Sequence, residues 1–156
     1  MVLGEVFSPD AITVNLQSED KDEVLAELVE QLVSHFPSAD RSQILSSVEA
    51  REKKMSTGII PGIAIPHGKS ETLKGIHGAI GISRAGIDFD SLDGKPVHLF
   101  LLIISSSDES EKHLLVLKRI SHILENKTFF NEIMEQKTSA DIHSVLCRYE
   151  NQLDSV

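Results

Sequence analysis

The chain has 156 residues, of which 40% are hydrophobic and 25% charged, a composition typical of one globular domain with a substantial core. A formal net charge of −9 argues against nucleic-acid binding, which needs a cationic face, but it does not argue against a basic partner protein. The single cysteine, Cys147, excludes an internal disulfide and indicates a reducing compartment.

The chain shows no signal for export or membrane insertion. Its longest central apolar run, VHLFLLII, is far too short to span a bilayer. The N-terminal MVLGEVFSPD lacks the basic region and the apolar core of a secretory signal. We therefore expect a cytoplasmic location with no direct membrane insertion.

The first third of the chain predicts one strand and two helices. Residues 10–16 alternate apolar and polar side chains, as a half-buried strand does. Residues 18–36 carry apolar side chains at helical spacing, and either Ser18 or Asp20 can cap the helix start. A second helix is predicted over residues 40–54.

The remainder predicts strands followed by helices. The predicted elements are a strand at 73–84, a turn-rich connection at 85–96, a central strand at 97–105, a long helix at 105–126 and two shorter helices at 127–136 and 139–153. We find no repeat or linker, so residues 1–156 are expected to form a single domain. The order of elements predicts an α/β fold in which a mixed β-sheet is flanked by helices on both faces.

A segment rich in glycine and proline, STGIIPGIAIPHGKS at residues 56–70, places His67 between Pro66 and Gly68. Pro66 restricts the backbone, and the glycines permit close approach of other backbone segments. The apolar GIAI anchors the segment to the core. Such a rigid loop suits a nucleophilic or ligand histidine. Backbone restriction alone leaves a structural and a functional role for His67 equally open.

His113 is the second histidine with an unusual setting. It lies four residues before Leu117 and seven before Ile120, so it points inward along the apolar stripe of its helix. It is either a buried histidine bonded to a backbone group or part of a site at the N-terminal end of this helix, where backbone N–H groups favour an anion. The other five histidines are predicted to have structural or surface roles.

Arg51 leans toward the packed side of its helix, in register with Val48 and Met55, whereas Lys53 and Lys54 are predicted to point away. One interpretation is an arginine whose stem covers apolar surface while its head reaches water. The other is a guanidinium that faces an anion.

These residues, taken together with the hydroxyls of Ser56 and Thr57, favour phosphoryl transfer. That reaction needs a nucleophile in line with the phosphorus and donors for the phosphoryl oxygens. A serine hydrolase is disfavoured because the chain contains no G-x-S-x-G motif. A zinc site on His67 and His113 is a weaker alternative, because no HExxH motif or pair of cysteines supports it.

Three segments of the chain carry a family resemblance: AREKKMSTGIIPGIAIPHGKS, IDFDSLDGKPVHLFLLI and HLLVLKRIS. In this order they resemble enzyme IIA proteins of the fructose/mannitol type from the phosphoenolpyruvate:sugar phosphotransferase system. That group includes the nitrogen-regulatory enzyme IIA proteins. The resemblance covers almost the whole chain and implies the same mixed-sheet fold.

The resemblance also implies roles for individual residues. His67 would accept a phosphoryl group from the histidine-containing phosphocarrier HPr or a paralogue, His113 would be the second active-site histidine, and Arg51 would clamp the phosphate. Supporting positions near the phosphate would be Ser56, Thr57 and Gly68. No metal or organic cofactor is implied.

The resemblance leaves the phosphoryl acceptor open. Sugar-transporting relatives pass the group to a cysteine of an enzyme IIB domain, as this chain would do as the IIA subunit of a fructose-type transporter. Nitrogen-regulatory relatives instead bind regulatory proteins according to their phosphorylation state. The sequence contains neither a IIB domain nor a membrane segment, and Cys147 is predicted to be structural.

Overall fold

The computed structural model describes residues 2–154, which fold into a central sheet between two groups of helices. The helices are α1 (Leu3–Val6), α2 (Lys21–Val33), α3 (Arg41–Lys54), α4 (Ser110–Leu124), α5 (Thr128–Glu135) and α6 (Ser139–Asp154). The strands are β1 (Ile12–Thr13), β2 (Ile63–Ala64), β3 (His67–Ser70), β4 (Ile76–Ile87) and β5 (Val97–Ser106). Two short 3₁₀ turns, at Pro9–Ala11 and Ser107–Glu109, precede β1 and α4.

The five strands form one mixed sheet around the β4–β5 pair. The strand order is β1-β4-β5-β2, and β3 follows β2 along the same side of β5. β4 and β5 run antiparallel, whereas β1, β2 and β3 each pair in parallel with a long strand. Because β3 pairs with β5 alone among the described strands, its other side forms an edge of the sheet.

Helices cover both faces of the sheet, which confirms the predicted architecture. Helices α2 and α3 share one hydrophobic cluster with sheet residues such as Ala79 and Phe100. Helices α1, α4, α5 and α6 share the other cluster, with sheet residues such as Leu101 and Ile103. Neighbouring residues of β5 thus point to opposite faces, and nearly all of that strand is buried, as the lack of alternation predicted.

Side-chain caps start the two helices that precede the glycine-rich segment. The Asp20 carboxylate accepts a hydrogen bond from the Glu23 N–H at 2.8 Å, so Asp20 rather than Ser18 caps α2. Asp40 caps α3 in the same way, by accepting from the Gln43 N–H at 3.2 Å. The boundaries of α3 therefore match the prediction closely.

Two predictions of local structure were wrong. The strand expected at residues 10–16 is reduced to β1, because a 3₁₀ turn occupies Pro9–Ala11. The segment at 56–70 contains two short strands, so His67 begins β3 instead of lying in a loop. Pairing with β5, not an alternating pattern, makes these residues extended.

Within residues 2–154, no helix combines the length and the apolar character that crossing a membrane requires.

Candidate functional site

A cavity of about 300 Å³ lies at the β3 edge of the sheet, where α3 and the first turns of α4 approach each other. Its lining residues come from these three elements: Ser47, Ala50, Arg51, Lys54, His67, Gly68, Lys69 and His113. The structure therefore brings together four of the six predicted site residues. The two that it does not bring into the lining are Ser56 and Thr57.

His67 is held by hydrogen bonds at the start of β3. The Ile103 N–H of β5 donates to the Pro66 carbonyl at 3.0 Å, which fastens the backbone just before the histidine. The ring Nδ1 lies 3.0 Å from the Ile65 carbonyl oxygen. A carbonyl can only accept, so Nδ1 carries the proton, and Nε2 retains a free lone pair. The half-buried imidazole is therefore oriented by its own backbone and has one nucleophilic nitrogen.

The surroundings of His67 favour the neutral ring. Burial lowers the pKa of His67, the hydrogen bond to Ile65 opposes this effect, and the positive charge of Arg51 lowers the pKa further. The Glu52 carboxylate acts in the opposite direction. The imidazole therefore carries no net charge at neutral pH, and its Nε2 lone pair is available, as attack on an electrophile requires.

His113 enters the cavity from the opposite face of the sheet to α3. It lies in the first turns of α4, is 6% exposed, and its ring packs edge-on to that of His67 with 5.4 Å between the ring centroids. Its Nδ1 lies 2.6 Å from the Ser105 hydroxyl oxygen. The partner of the buried histidine is thus a side chain, not the backbone group that one interpretation expected.

We expect His113 to remain neutral well below neutral pH. Burial is the main cause that lowers its pKa to about 4, and the positive charges of Lys69 and of a protonated His67 add to this effect. Because the unfolded chain binds this proton near the ordinary pKa of 6.5, the folded state loses stability as the pH falls from 6.5 toward 4. An NMR titration of the ring checks this expectation, which a midpoint near 6.5 would contradict.

Three cationic side chains surround the two imidazoles although the chain as a whole is strongly acidic. Arg51 donates from Nη1 to the Met55 carbonyl at 2.9 Å, so its guanidinium is anchored at the end of α3. Lys69 reaches the Ser105 hydroxyl with its Nζ at 3.1 Å. Lys54 also lines the cavity, contrary to the prediction that it points away. This arrangement suits an anion such as a phosphoryl group.

Ser56 and Thr57 are hydrogen-bonded away from this cavity. The Ser56 hydroxyl donates to the Phe89 carbonyl at 3.0 Å. Ser56 lines a separate cleft of about 370 Å³. The Thr57 hydroxyl donates to the buried Glu52 carboxylate at 2.9 Å, and the Thr57 N–H donates to the same carboxylate at 2.8 Å. Lys21 pairs with that carboxylate at 3.2 Å. These contacts brace the segment between α3 and β2 and leave neither hydroxyl in the cavity lining.

Gly68 allows α3 to lie directly against β3. A Cβ built on Gly68 would be 2.9 Å from the Val48 backbone nitrogen and 3.0 Å from the Ser47 hydroxyl oxygen. The Lys69 N–H donates to that same hydroxyl at 2.8 Å. The absence of a side chain at Gly68 therefore sets the distance between the helix that carries Arg51 and the strand that carries His67.

Replacing Gly68 with alanine should displace α3, because the new methyl group meets backbone as well as side-chain atoms. We expect the free energy of unfolding to fall by about 2 kcal/mol, within the usual range for an overpacked site. Urea denaturation followed by circular dichroism measures this change. An unaltered midpoint and slope would show that α3 has room to accommodate the methyl group.

Lys69 and Ser105 belong to the site but were not predicted from the sequence. Lys69 is two residues after His67, so in a strand both side chains point to the same face. Ser105 pairs directly with Lys69 in the β3–β5 register. The two-residue spacing between His67 and Lys69 is present in the sequence, but it indicates a shared face only once residues 67–70 are assigned to a strand.

No arrangement typical of metal ligands is found among the His, Cys, Asp and Glu side chains of residues 2–154. The weaker zinc alternative from the sequence analysis had only His67 and His113 as candidate ligands.

The chain is similar to phosphotransferase-system and nitrogen regulatory proteins in both sequence and structure. The chain is 31% identical over 150 residues to the fructose-specific EIIABC component of the phosphotransferase system of Bacillus subtilis, covering 96% of this chain but 24% of that protein. It is 28% identical to a nitrogen regulatory protein of Pseudomonas aeruginosa, covering 96% of this chain and 97% of the relative. The chain thus spans about a quarter of the first relative and nearly all of the second.

Solved structures show the same fold. The nitrogen regulatory protein IIA-Ntr of Neisseria meningitidis superposes with a TM-score of 0.87 at 26% identity, covering 94% of this chain and 99% of that one. IIA mannitol of Escherichia coli superposes with a TM-score of 0.73 at 16% identity, covering 89% and 97% of the two chains. Residues 5–149 match the family described as "Phosphoenolpyruvate-dependent sugar phosphotransferase system, EIIA 2". The chain therefore belongs to the type 2 enzyme IIA family of this phosphotransferase system.

Proposed function

We propose that this protein is a phosphocarrier that accepts a phosphoryl group on Nε2 of His67 from a phosphohistidine of HPr or a paralogue. The observation that carries the proposal is the hydrogen bond between His67 Nδ1 and the Ile65 carbonyl, at 3.0 Å. It leaves Nε2 as the nitrogen with a free lone pair, in a ring that lines a cavity with three cations. Membership of the enzyme IIA family supports the same reaction class.

The transfer needs no cofactor. The Nε2 lone pair of His67 forms a bond to phosphorus, while the phosphorus–nitrogen bond of the donor breaks and its electron pair returns to the donor imidazole. The proton on His67 Nδ1 remains in its hydrogen bond with the Ile65 carbonyl, which stabilises the positive charge that develops on the attacking ring. In the transfer to the next acceptor, a nucleophile of the acceptor forms the bond to phosphorus while the bond between phosphorus and Nε2 breaks and its electron pair returns to His67.

The other residues of the cavity would stabilise the phosphoryl oxygens. Arg51 offers a planar guanidinium that is already anchored on the Met55 carbonyl, and His113 offers a ring N–H. Gly68 would act by holding α3 against β3. We assign Ser56 and Thr57 a bracing role rather than direct phosphate binding, because their hydroxyls are bonded to Phe89 and Glu52.

For the acceptor we propose a cysteine of an enzyme IIB domain, with this chain as the IIA subunit of a fructose-type sugar transporter. The 31% identity to a fructose-specific component supports this role. The alternative is a nitrogen-regulatory protein whose phosphorylation state controls binding to regulatory partners. Nearly complete mutual coverage with a nitrogen regulatory protein and the TM-score of 0.87 with IIA-Ntr support that alternative. Both roles fit the cytoplasm, as does the unpaired Cys147.

Incubation with phosphoenolpyruvate, enzyme I and HPr tests the proposed reaction. We expect intact-protein mass spectrometry to detect one added phosphoryl group per chain, labile in acid and stable in base, as expected for a phosphohistidine. Omission of HPr should prevent its appearance. A chain that remains unmodified with both HPr and a nitrogen-type paralogue of HPr as donor would refute the proposal.

Mixing the phosphorylated protein with a fructose-type IIB domain distinguishes the transport role from the regulatory alternative. Rapid loss of the phosphoryl group to a fructose-type IIB domain, with the label recovered on the IIB cysteine, is the result expected for the transport role. A stable phosphoprotein that binds other proteins only in one phosphorylation state would favour the regulatory alternative.

A further inference from the structure

Lys69, Ser105 and His113 form a chain of hydrogen bonds behind the second imidazole of the site. The β3–β5 register places Lys69 opposite Ser105, and the Lys69 ammonium donates to the Ser105 hydroxyl oxygen at 3.1 Å. That oxygen lies 2.6 Å from His113 Nδ1. Ser105 is 1% exposed, so water has little access to its hydroxyl.

The direction of the second hydrogen bond follows from the first. An ammonium group can only donate, so the Ser105 oxygen accepts from Lys69. Among residues 2–154, the remaining partner of this hydroxyl is His113 Nδ1. If Nδ1 carried a proton and donated it, the buried Ser105 O–H would have no acceptor, which is unfavourable. The Ser105 O–H therefore donates to an unprotonated Nδ1.

This direction determines which nitrogen of His113 carries the proton. A neutral imidazole with a bare Nδ1 has its proton on Nε2. Nδ1 is occupied by the buried serine, so Nε2 is the nitrogen that remains for the cavity, which His113 lines beside His67. A ring fixed in this form is a hydrogen-bond donor toward the cavity, whereas the other tautomer would present a lone pair that repels phosphoryl oxygens.

We propose that Lys69 and Ser105 are positioning residues for phosphoryl transfer, which hold His113 in the Nε2–H tautomer so that it donates to a phosphoryl oxygen on His67. Ser105 supplies the proton that fixes Nδ1 as an acceptor. Lys69 can only donate, so it offers no acceptor to the Ser105 O–H, and His113 Nδ1 is left as the acceptor of that proton. The inference rests on the proposed function of His67, but the tautomer of His113 is a property of the unphosphorylated protein and is measured without any transfer.

The first measurement is the tautomer of His113 at neutral pH. Long-range ¹H–¹⁵N NMR spectra distinguish a protonated ring nitrogen from an unprotonated one. We expect the wild-type protein to show a protonated Nε2 and an unprotonated Nδ1. We expect mixed tautomers in Ser105→Ala, which lacks the donor, and in Lys69→Gln, whose amide oxygen can accept the serine O–H so that the serine can in turn accept from a protonated Nδ1. A proton on Nδ1 in the wild type, or unchanged spectra in both variants, would overturn the proposal.

The second measurement is the rate of phosphoryl transfer from phosphorylated HPr. We expect Ser105→Ala and Lys69→Gln to slow transfer about tenfold, less than the roughly hundredfold loss typical when a donor to the reacting group is deleted. Ser105→Thr keeps the hydroxyl and should restore both the rate and the tautomer. Unchanged rates in Ser105→Ala and Lys69→Gln would overturn the proposal even if their tautomers were mixed.

A matched control removes another buried strand serine. Ser83 of β4 is 5% exposed and accepts a hydrogen bond from the Gly86 N–H, outside the cavity lining. Ser83→Ala should keep the tautomer of His113 and the transfer rate. Equal slowing in this control would assign the effect to general loss of stability and reject the positioning role. No phosphorylation of the wild-type protein would refute the proposed function instead, whatever the tautomer of His113.

Discussion

His67→Ala should accept no detectable phosphoryl group from phosphorylated HPr, because the substitution removes the nitrogen that forms the bond to phosphorus. His67 is half-buried at the start of an edge strand, so we expect the variant to fold. Phosphorylation is measured by intact-protein mass spectrometry, and circular dichroism verifies the fold. Complete loss of phosphorylation is the largest effect that we expect from any single substitution in the site.

His122→Ala is the matched control for this variant. His122 is an exposed histidine near the C-terminal end of α4 and does not line the cavity. It should be phosphorylated at the wild-type rate. If His67→Ala still gained an acid-labile phosphoryl group, another residue would be the acceptor, and the assignment of the nucleophile would fail.

Arg51→Ala should slow phosphoryl transfer about a hundredfold, a loss typical when one preorganised charged donor to the transition state is removed. The reason is that transferred phosphoryl groups carry charge on three equatorial oxygens, which a guanidinium can bind in a bidentate manner. Arg51→Lys keeps the charge but loses the planar fork, so we expect it to recover only part of the rate. Single-turnover kinetics with phosphorylated HPr measures the transfer rates of the wild type, Arg51→Ala and Arg51→Lys.

Lys53→Ala removes a neighbouring cation at the same end of α3 and serves as the control. Lys53 lines the separate cleft of about 370 Å³ rather than the cavity with the two imidazoles. We expect its transfer rate to be close to that of the wild type. Similar slowing in Lys53→Ala and Arg51→Ala would mean that Arg51 acts through the general positive charge of α3, not through direct contact with the phosphoryl group.

The long elements of the fold were predictable because their periodicity is strong. The spacing of apolar residues predicted α2 and α4, and the continuous apolar run predicted β5 as a strand buried on both faces. The predicted strand at 73–84 is displaced to Ile76–Ile87. The ends of this strand are determined by where it pairs with β5, and the local sequence carries no information about that pairing.

The short elements were not predictable from pattern. The strand β2 has only two residues and follows Gly62, and β3 has four residues, follows Pro66 and contains Gly68. Both are therefore too short and too interrupted to show a periodic signal. They become strands because β5 supplies hydrogen-bonding partners. Lys69 and Ser105 were missed for this reason, since only the register places them opposite each other.

Parts of the site could be inferred from local spacing. The inward direction of His113 followed from its place on the apolar stripe of α4, and the structure finds it 6% exposed. The same reasoning placed Lys54 away from the packed side, yet its side chain reaches the cavity from the end of α3. The partners of Ser56 and Thr57 lie on other elements, at Phe89 and Glu52, and sequence distance gave no indication of them.

The most direct test of the central claim is NMR of the ¹⁵N-labelled protein after phosphorylation by HPr. A one-bond coupling between phosphorus and Nε2 of His67 is the predicted result, because Nδ1 is bonded to the Ile65 carbonyl at 3.0 Å. A coupling to Nδ1 of His67, or to a ring nitrogen of any other histidine, would contradict the account.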